Sequence, residues 1–153
     1  MHLEELTDIA SDIVMNAIKS AKSRNQGPSP EHLLLSMMEH TDSIIPSIFV
    51  KHCLNQTLLI SDLKDHLETV PVIVDIPEDV GNVVNVSPRL ISHLERANKS
   101  SKDSGDKFVD TITLFKQFYT STSESVAHSL LLAHGMTLER MATSFNSIKG
   151  DKK

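Results

Sequence analysis

The sequence predicts an all-α architecture: two pseudo-symmetric four-helix repeats forming one compact eight-helix bundle, joined by an extended linker. The apolar stripe Leu33, Leu34 and Met37 returns as Leu114, Phe115 and Phe118, each pair 81 positions apart. Upstream, Ala10, Val14 and Ala17 return 80 positions later as Leu90, Leu94 and Ala97, a helical i, i+4, i+7 pattern in both copies. Downstream, His52 and Cys53 fall on His134 and Gly135, now 82 apart. The spacing drifts by one at each turn between helices, where insertions are tolerated. Two copies suffice for a closed bundle but not for a solenoid, which needs at least about three.

The first repeat spans about 3–69. Its first helix runs from about Thr7 to Arg24, buries Ile9, Ala10, Ile13, Val14, Ala17, Ile18 and Ala21, and ends at Asn25-Gln26-Gly27-Pro28. Ser29 is a natural N-cap with Pro30 at the first helical position, where a missing N–H is harmless. The second helix reaches about His40. Ser43 is expected to cap a third through His52, with Pro46 tolerable in its first turn. Asn55 caps a fourth, carrying Leu59, Leu63 and Leu67. Residues 70–86 break the helical period with β-branched residues, Pro71, Pro77 and Gly81, and are expected to form an extended linker. A short strand at Val72-Ile73-Val74 is the alternative, but it has no strong partner.

The second repeat spans about 87–149. Ser87-Pro88 repeats the cap-plus-proline device and opens a helix to about Ser104, with a turn at Gly105-Asp106. A helix from about Asp110 to Tyr119 follows. Ser121 with Glu124 has capping-box spacing ahead of a helix from Ser125 to His134, which stops at Gly135. Thr137 caps the last helix, through Leu138, Met141, Phe145 and Ile148. The tail, 150–153, is polar.

A net charge of −5 and a pI near 5.9 argue against nucleic acid as a main partner. The N-terminus Met1-His2-Leu3-Glu4-Glu5 is acidic where a signal peptide is basic, and no apolar run approaches ~18 residues, so no membrane is expected and the location is expected to be cytoplasmic. The single cysteine excludes an internal disulfide. Cys53 takes the slot of Gly135, at a helix C-terminus where the dipole disfavours a thiolate, and is expected to be a small turn residue and not a reactive thiol.

No phosphate-binding glycine motif is present, so this chain is not expected to hydrolyse ATP. Among the eight histidines there is no H-E-x-x-H, and His128 and His134 point to different faces of one helix, so no metal site is expected. G-x-S-x-G is missing, and no catalytic residue is expected. His32, beside Glu31, reads as a structural histidine satisfying nearby backbone, because Thr113 takes its slot in the second repeat. The stripe of Met37, Met38, Phe115 and Phe118 is core first, with part of it available to line an adaptable apolar groove.

With Pro30-Glu31-His32-Leu33-Leu34-Leu35 in one repeat and Gly105-Asp106-Lys107-Phe108-Val109 in the other, the chain resembles the N-terminal (Clp repeat) domain of the Clp AAA+ chaperones over about residues 3–148. Met1-His2-Leu3-Glu4-Glu5-Leu6-Thr7 is similar to the start of ClpB-like members. The resemblance implies a non-catalytic domain tethered ahead of ATPase rings, a monomer in isolation within a hexameric full-length protein. No cofactor is implied for this chain, with ATP and Mg confined to the ATPase domains. It also implies a substrate site: Thr7 and Asp106 match two positions tied to substrate handling, Ile112 stands where a glutamate is usual, and Leu94 completes a groove. The implied role is recruitment of unfolded or aggregated polypeptides for a ClpB-like disaggregase. The alternative is docking of a folded adaptor for a ClpA- or ClpC-type unfoldase that feeds a protease. A free-standing helical interaction protein and an undetected enzyme using His32 are more distant readings.

Overall fold

The computed structural model describes residues 3–72, 88–120 and 125–146. The expected linker from 73 onward, the strand alternative at Ile73-Val74, the Ser87 cap, the Ser121/Glu124 capping box, Ile148 and the tail lie outside the described residues. Eight helices are found within them: α1 (Asp8–Ser23), α2 (Pro30–Glu39), α3 (Ile45–Lys51), α4 (Gln56–Thr69), α5 (Pro88–Asp103), α6 (Thr111–Lys116), α7 (Val126–Ala133) and α8 (Leu138–Asn146).

Helix starts follow the capping residues. The side chains of Thr7, Asn55, Asp110, Ser125 and Thr137 accept from the backbone N–H three residues on, at 2.8–3.2 Å. Ser29 opens α2 through a capping box in which the Ser29 N–H donates to His32 Nδ1 at 3.1 Å. Ser43 departs from expectation. α3 begins one residue later, after Ile44, and has no side-chain N-cap; the Ser43 hydroxyl instead accepts from Ile45 N–H at 3.3 Å. α6 is also shorter than expected, tightening into a 3-10 turn over Gln117–Tyr119.

Helix ends show the duplication most clearly. Four residues have left-handed backbone, Asn25 (φ 56°), Cys53 (58°), Gly105 (77°) and Gly135 (89°), each just past a helix end. In each case the following residue's N–H returns to the carbonyl five earlier: Gln26 to Ala21, Leu54 to Phe49, Asp106 to Ser101 and Met136 to Leu131, at 2.8–2.9 Å. These are Schellman closures, and the repeat pairs them, Asn25 with Gly105 and Cys53 with Gly135. Cys53 is thus the expected turn residue.

Helix α2 is buried from Pro30 to Met38 and packs against α1, α3, α4, α5 and α7. Its counterpart α6 packs against α5, α1 and α3. The pairings α1–α6 and α2–α5 exchange under the repeat, as do α2–α7 and α3–α6, so the two halves meet about an approximate two-fold axis. Met37, Met38, Phe115 and Phe118 are all buried. The two methionines, at 0% and 4% exposed, therefore belong to the core.

Two polar contacts sit astride the axis. His52 Nε2 donates to Ser144 Oγ at 2.6 Å, while that hydroxyl donates onward to Arg140 O at 2.9 Å. His134 Nε2 donates to Asp62 Oδ2 at 2.6 Å. His52 and His134 are repeat equivalents, and so are Asp62 and Ser144, each pair 82 apart. The same bond is made twice with different acceptors.

Candidate functional site

The N-terminal strand of residues before α1 is pinned to the loop before α6. Thr7 N–H donates to Val109 O and Val109 N–H to Glu5 O, both at 2.9 Å, forming an isolated parallel bridge between Leu6 and Val109. This strap brings three of the four expected site residues into one neighbourhood. Thr7 is within it, Asp106 lies three residues before Val109, and Ile112 lies three residues after, in the first turn of α6.

Their accessibility differs. Asp106 is exposed, as the residue closing the Schellman turn after α5. Thr7 is buried, its hydroxyl engaged in capping α1. Ile112 is also buried, in the core. Neither of these two side chains presents a contact surface. Leu94, on α5, is half-buried against the core, and Ile91, one turn earlier on the same flank, is 43% exposed. Sequence reasoning did not single out Ile91, although its i, i+3 apolar spacing with Leu94 was visible.

The polar groups elsewhere are occupied by structure. His32 Nδ1 accepts from the Ser29 backbone, so its proton sits on Nε2, which donates to Gln26 Oε1 at 2.9 Å. Gln26 Nε2 in turn donates to Leu67 O at 2.6 Å, joining the ends of α1 and α4 to the start of α2. Burial and the nearby Arg24 charge hold His32 down to about 4, against the raising effect of Glu31. It is the structural histidine expected from the sequence. His93 is similarly neutral, pushed to about 4 by burial, and its Nε2 donates to Leu114 O at 2.8 Å.

Glu31 is 2% exposed, accepting from Arg89 Nη2 at 2.8 Å and from Ala127 N–H at 3.1 Å. Burial acts to raise its pKa, but the Arg89 hydrogen bond and charge and the Ala127 N–H together outweigh it, and the carboxyl lies below its ordinary value. Glu31 belongs to the first repeat and both partners to the second, so this pair is a clamp between halves. Among the described residues no group of three His, Cys, Asp or Glu side chains is gathered as a metal site would need, and no helix is long and apolar enough to cross a membrane.

Residues 5–134 match the sequence profile of the Clp repeat (R) N-terminal domain. The chain is 26% identical over 145 residues to the chaperone protein ClpB of Bdellovibrio bacteriovorus, covering 94% of this chain and 16% of that protein. It thus spans about one sixth of the length of that relative. Among solved structures, the Hsp104 N-terminal domain from Candida albicans superposes with a TM-score of 0.78 at 18% identity, covering 97% of this chain and 96% of that one. The N-terminal domain of the ClpV1 ATPase from E. coli superposes at 0.76 and 14% identity, covering 94% and 85%. Both share the all-helical fold.

Proposed function

The chain belongs to the Clp repeat (R) N-terminal domain family, and from that premise we propose that it recruits polypeptide and performs no catalysis of its own. The observation that carries this is the apolar flank of Ile91 and Leu94 on α5. The flank offers apolar contact without a deep pocket, which suits extended or unfolded chain better than a small molecule. A few side chains of this kind contribute roughly 3–5 kcal/mol, the range of millimolar affinity. Such affinity is useful when many copies are displayed together and effective concentration multiplies it. Within a longer protein resembling the ClpB relatives, the domain would feed a disaggregase ring in the cytoplasm, with ATP and Mg belonging to that ring.

We take Leu94 and Ile91 on α5 as the contact surface, with Asp106 exposed past the other end of that helix and Thr7 and Ile112 buried. The test is amide-resolved NMR titration of the chain with a permanently unfolded protein, using its folded form as control. Shifts confined to α5 around Ile91 and Leu94 and to the loop at Asp106 are expected, weakened about fivefold or more by Leu94→Ser. No shifts at saturating unfolded protein would sink direct capture and favour docking of a folded adaptor.

A further inference from the structure

On the other side of α5 from Leu94 is a cavity of about 290 Å³, bounded by Arg89, Ser92, Arg96, Gln117, Phe118 and Pro30 among others. Leu94 and Arg96 are two residues apart and so face roughly opposite ways around the helix. The two surfaces are therefore separate.

The chemistry of this cavity is cationic in a chain of net charge −5. Arg89 is held in place by Glu31, which also neutralises it. Arg96 has no ion-pair partner among the described residues, and its Nε is buried without a hydrogen bond. Arg96 lines the cavity, and an arriving oxyanion would supply the counter-charge its guanidinium lacks. Guanidinium and carboxylate match as planar forks, so the favoured occupant is a carboxylate. Phe118 and Pro30 supply apolar wall beside the charge, suited to side chains flanking an acidic one.

The fold alone does not impose this. In the first repeat the positions of Arg89, Ser92 and Arg96 are held by Ile9, Asp12 and Asn16, each 80 earlier. The cavity beside Asn16 is smaller, about 160 Å³, and includes Glu39 and His40; His40 is already paired with Asp12 at 2.6 Å. One repeat closes its groove with an internal acid, and the other leaves Arg96 without an acidic partner among the described residues. A lone pocket on an acidic protein does not form the extended basic surface that nucleic acid needs.

We propose that the Arg96 cavity is a second polypeptide-binding site, which takes a carboxylate flanked by apolar residues, either an acidic side chain or a free C-terminus. It stands independently of the Ile91–Leu94 flank. The probes are three peptides titrated into the full 153-residue chain by NMR: acetyl-Leu-Glu-Leu-amide, acetyl-Leu-Gln-Leu-amide, and acetyl-Leu-Gln-Leu with a free carboxylate. The expected result is shifts at Ser92, Arg96 and Gln117, with a carboxylate peptide binding about tenfold more tightly than the neutral one. Whichever carboxylate peptide binds better identifies the source. Arg96→Gln should abolish that difference and Arg96→Lys retain part of it, while shifts at Ile91 and Leu94 with unfolded protein persist in both. Equal binding of all three peptides, or an unaltered preference in Arg96→Gln, would overturn the proposal. The peptide comparison on the unsubstituted chain decides it even if a variant fails to fold.

Discussion

Lowering the pH from 7 to 5 should remove about 4 kcal/mol of folding stability, through two histidines buried neutral. His32 and His93 both lie near 4 in the folded chain, against 6.5 ordinarily, with burial the first cause in each. The unfolded chain takes up a proton on each as pH falls through about 6.5, whereas the folded chain does so only near 4. Between those values the unfolded state binds more protons, so stability falls with falling pH, by up to about 1.4 kcal/mol per pH unit for each histidine. From pH 7 to 5 that is about 2 kcal/mol apiece, a large share of a typical 5–15. The groups facing them do not reverse the sign: Glu31 favours protonation of both, yet burial with Arg24 and His66 around His32, and with Arg89 and Arg96 around His93, outweighs it. Glu31 itself, depressed in the fold, contributes stability above its unfolded value that is lost only at lower pH, in the same direction. Urea unfolding followed by circular dichroism should show the midpoint dropping by about 2 M between pH 7 and 5 at constant slope. His93→Gln, which keeps a donor toward Leu114 O, should remove about half of that dependence. A midpoint flat from pH 7 to 5 would refute the assignment of both rings as neutral.

The paired turns make an opposed prediction. Cys53→Gly should stabilise the chain by up to about 1 kcal/mol, because only glycine adopts φ 58° without steric penalty. Gly135→Ala should destabilise it by about 1–3 kcal/mol, since φ is 89° and the new Cβ would stand 2.8 Å from Leu54 Cδ2; thermal midpoints moving in the same direction would contradict the pairing. Glu31→Gln should lower stability at neutral pH by about 1–2 kcal/mol, limited because Arg89 is 53% exposed and stays hydrated. An unchanged urea midpoint would mean that the clamp contributes nothing.

The helices were legible because a repeat shows each element twice. Ser29, Asn55 and Thr137 were identified as caps from residue type and place, and each is one, whereas Ser125, expected to be the first residue of its helix, is the cap of α7. Ser43 misled because a serine ahead of an apolar run with Pro46 in its first turn fits either of two starts, and packing of Ile44 and Ile45 chose the later. The candidate site was less legible. A motif position tells which residue occupies a slot but not how packing will enclose it, and Thr7 and Ile112 are both buried. The cross-axis bonds had a visible trace, since His52 and His134 share their 82-residue spacing with Asp62 and Ser144. That spacing marks equivalence, however, and does not say which helices face each other across the axis.

The repeat equivalences separate scaffold from surface. Positions that close helices or join the halves keep their role through substitution: Asn25 and Gly105 are both left-handed, Cys53 and Gly135 likewise, and His52 and His134 both donate across the axis. Positions on the outer face of the first helix of each repeat do not. Asp8, Ile9, Asp12 and Asn16 in α1 are replaced by Pro88, Arg89, Ser92 and Arg96 in α5, and the apolar Ile91 stands where α1 has Ser11. A two-fold bundle starts with two equivalent grooves, so one can be given to stability while the other changes chemistry at little energetic cost. Here α2, the most enclosed helix, anchors the first half. The Ile91–Leu94 flank, Arg96 and Asp106 all fall on the second half, while Val50 and Leu58 leave apolar side chains exposed on the first.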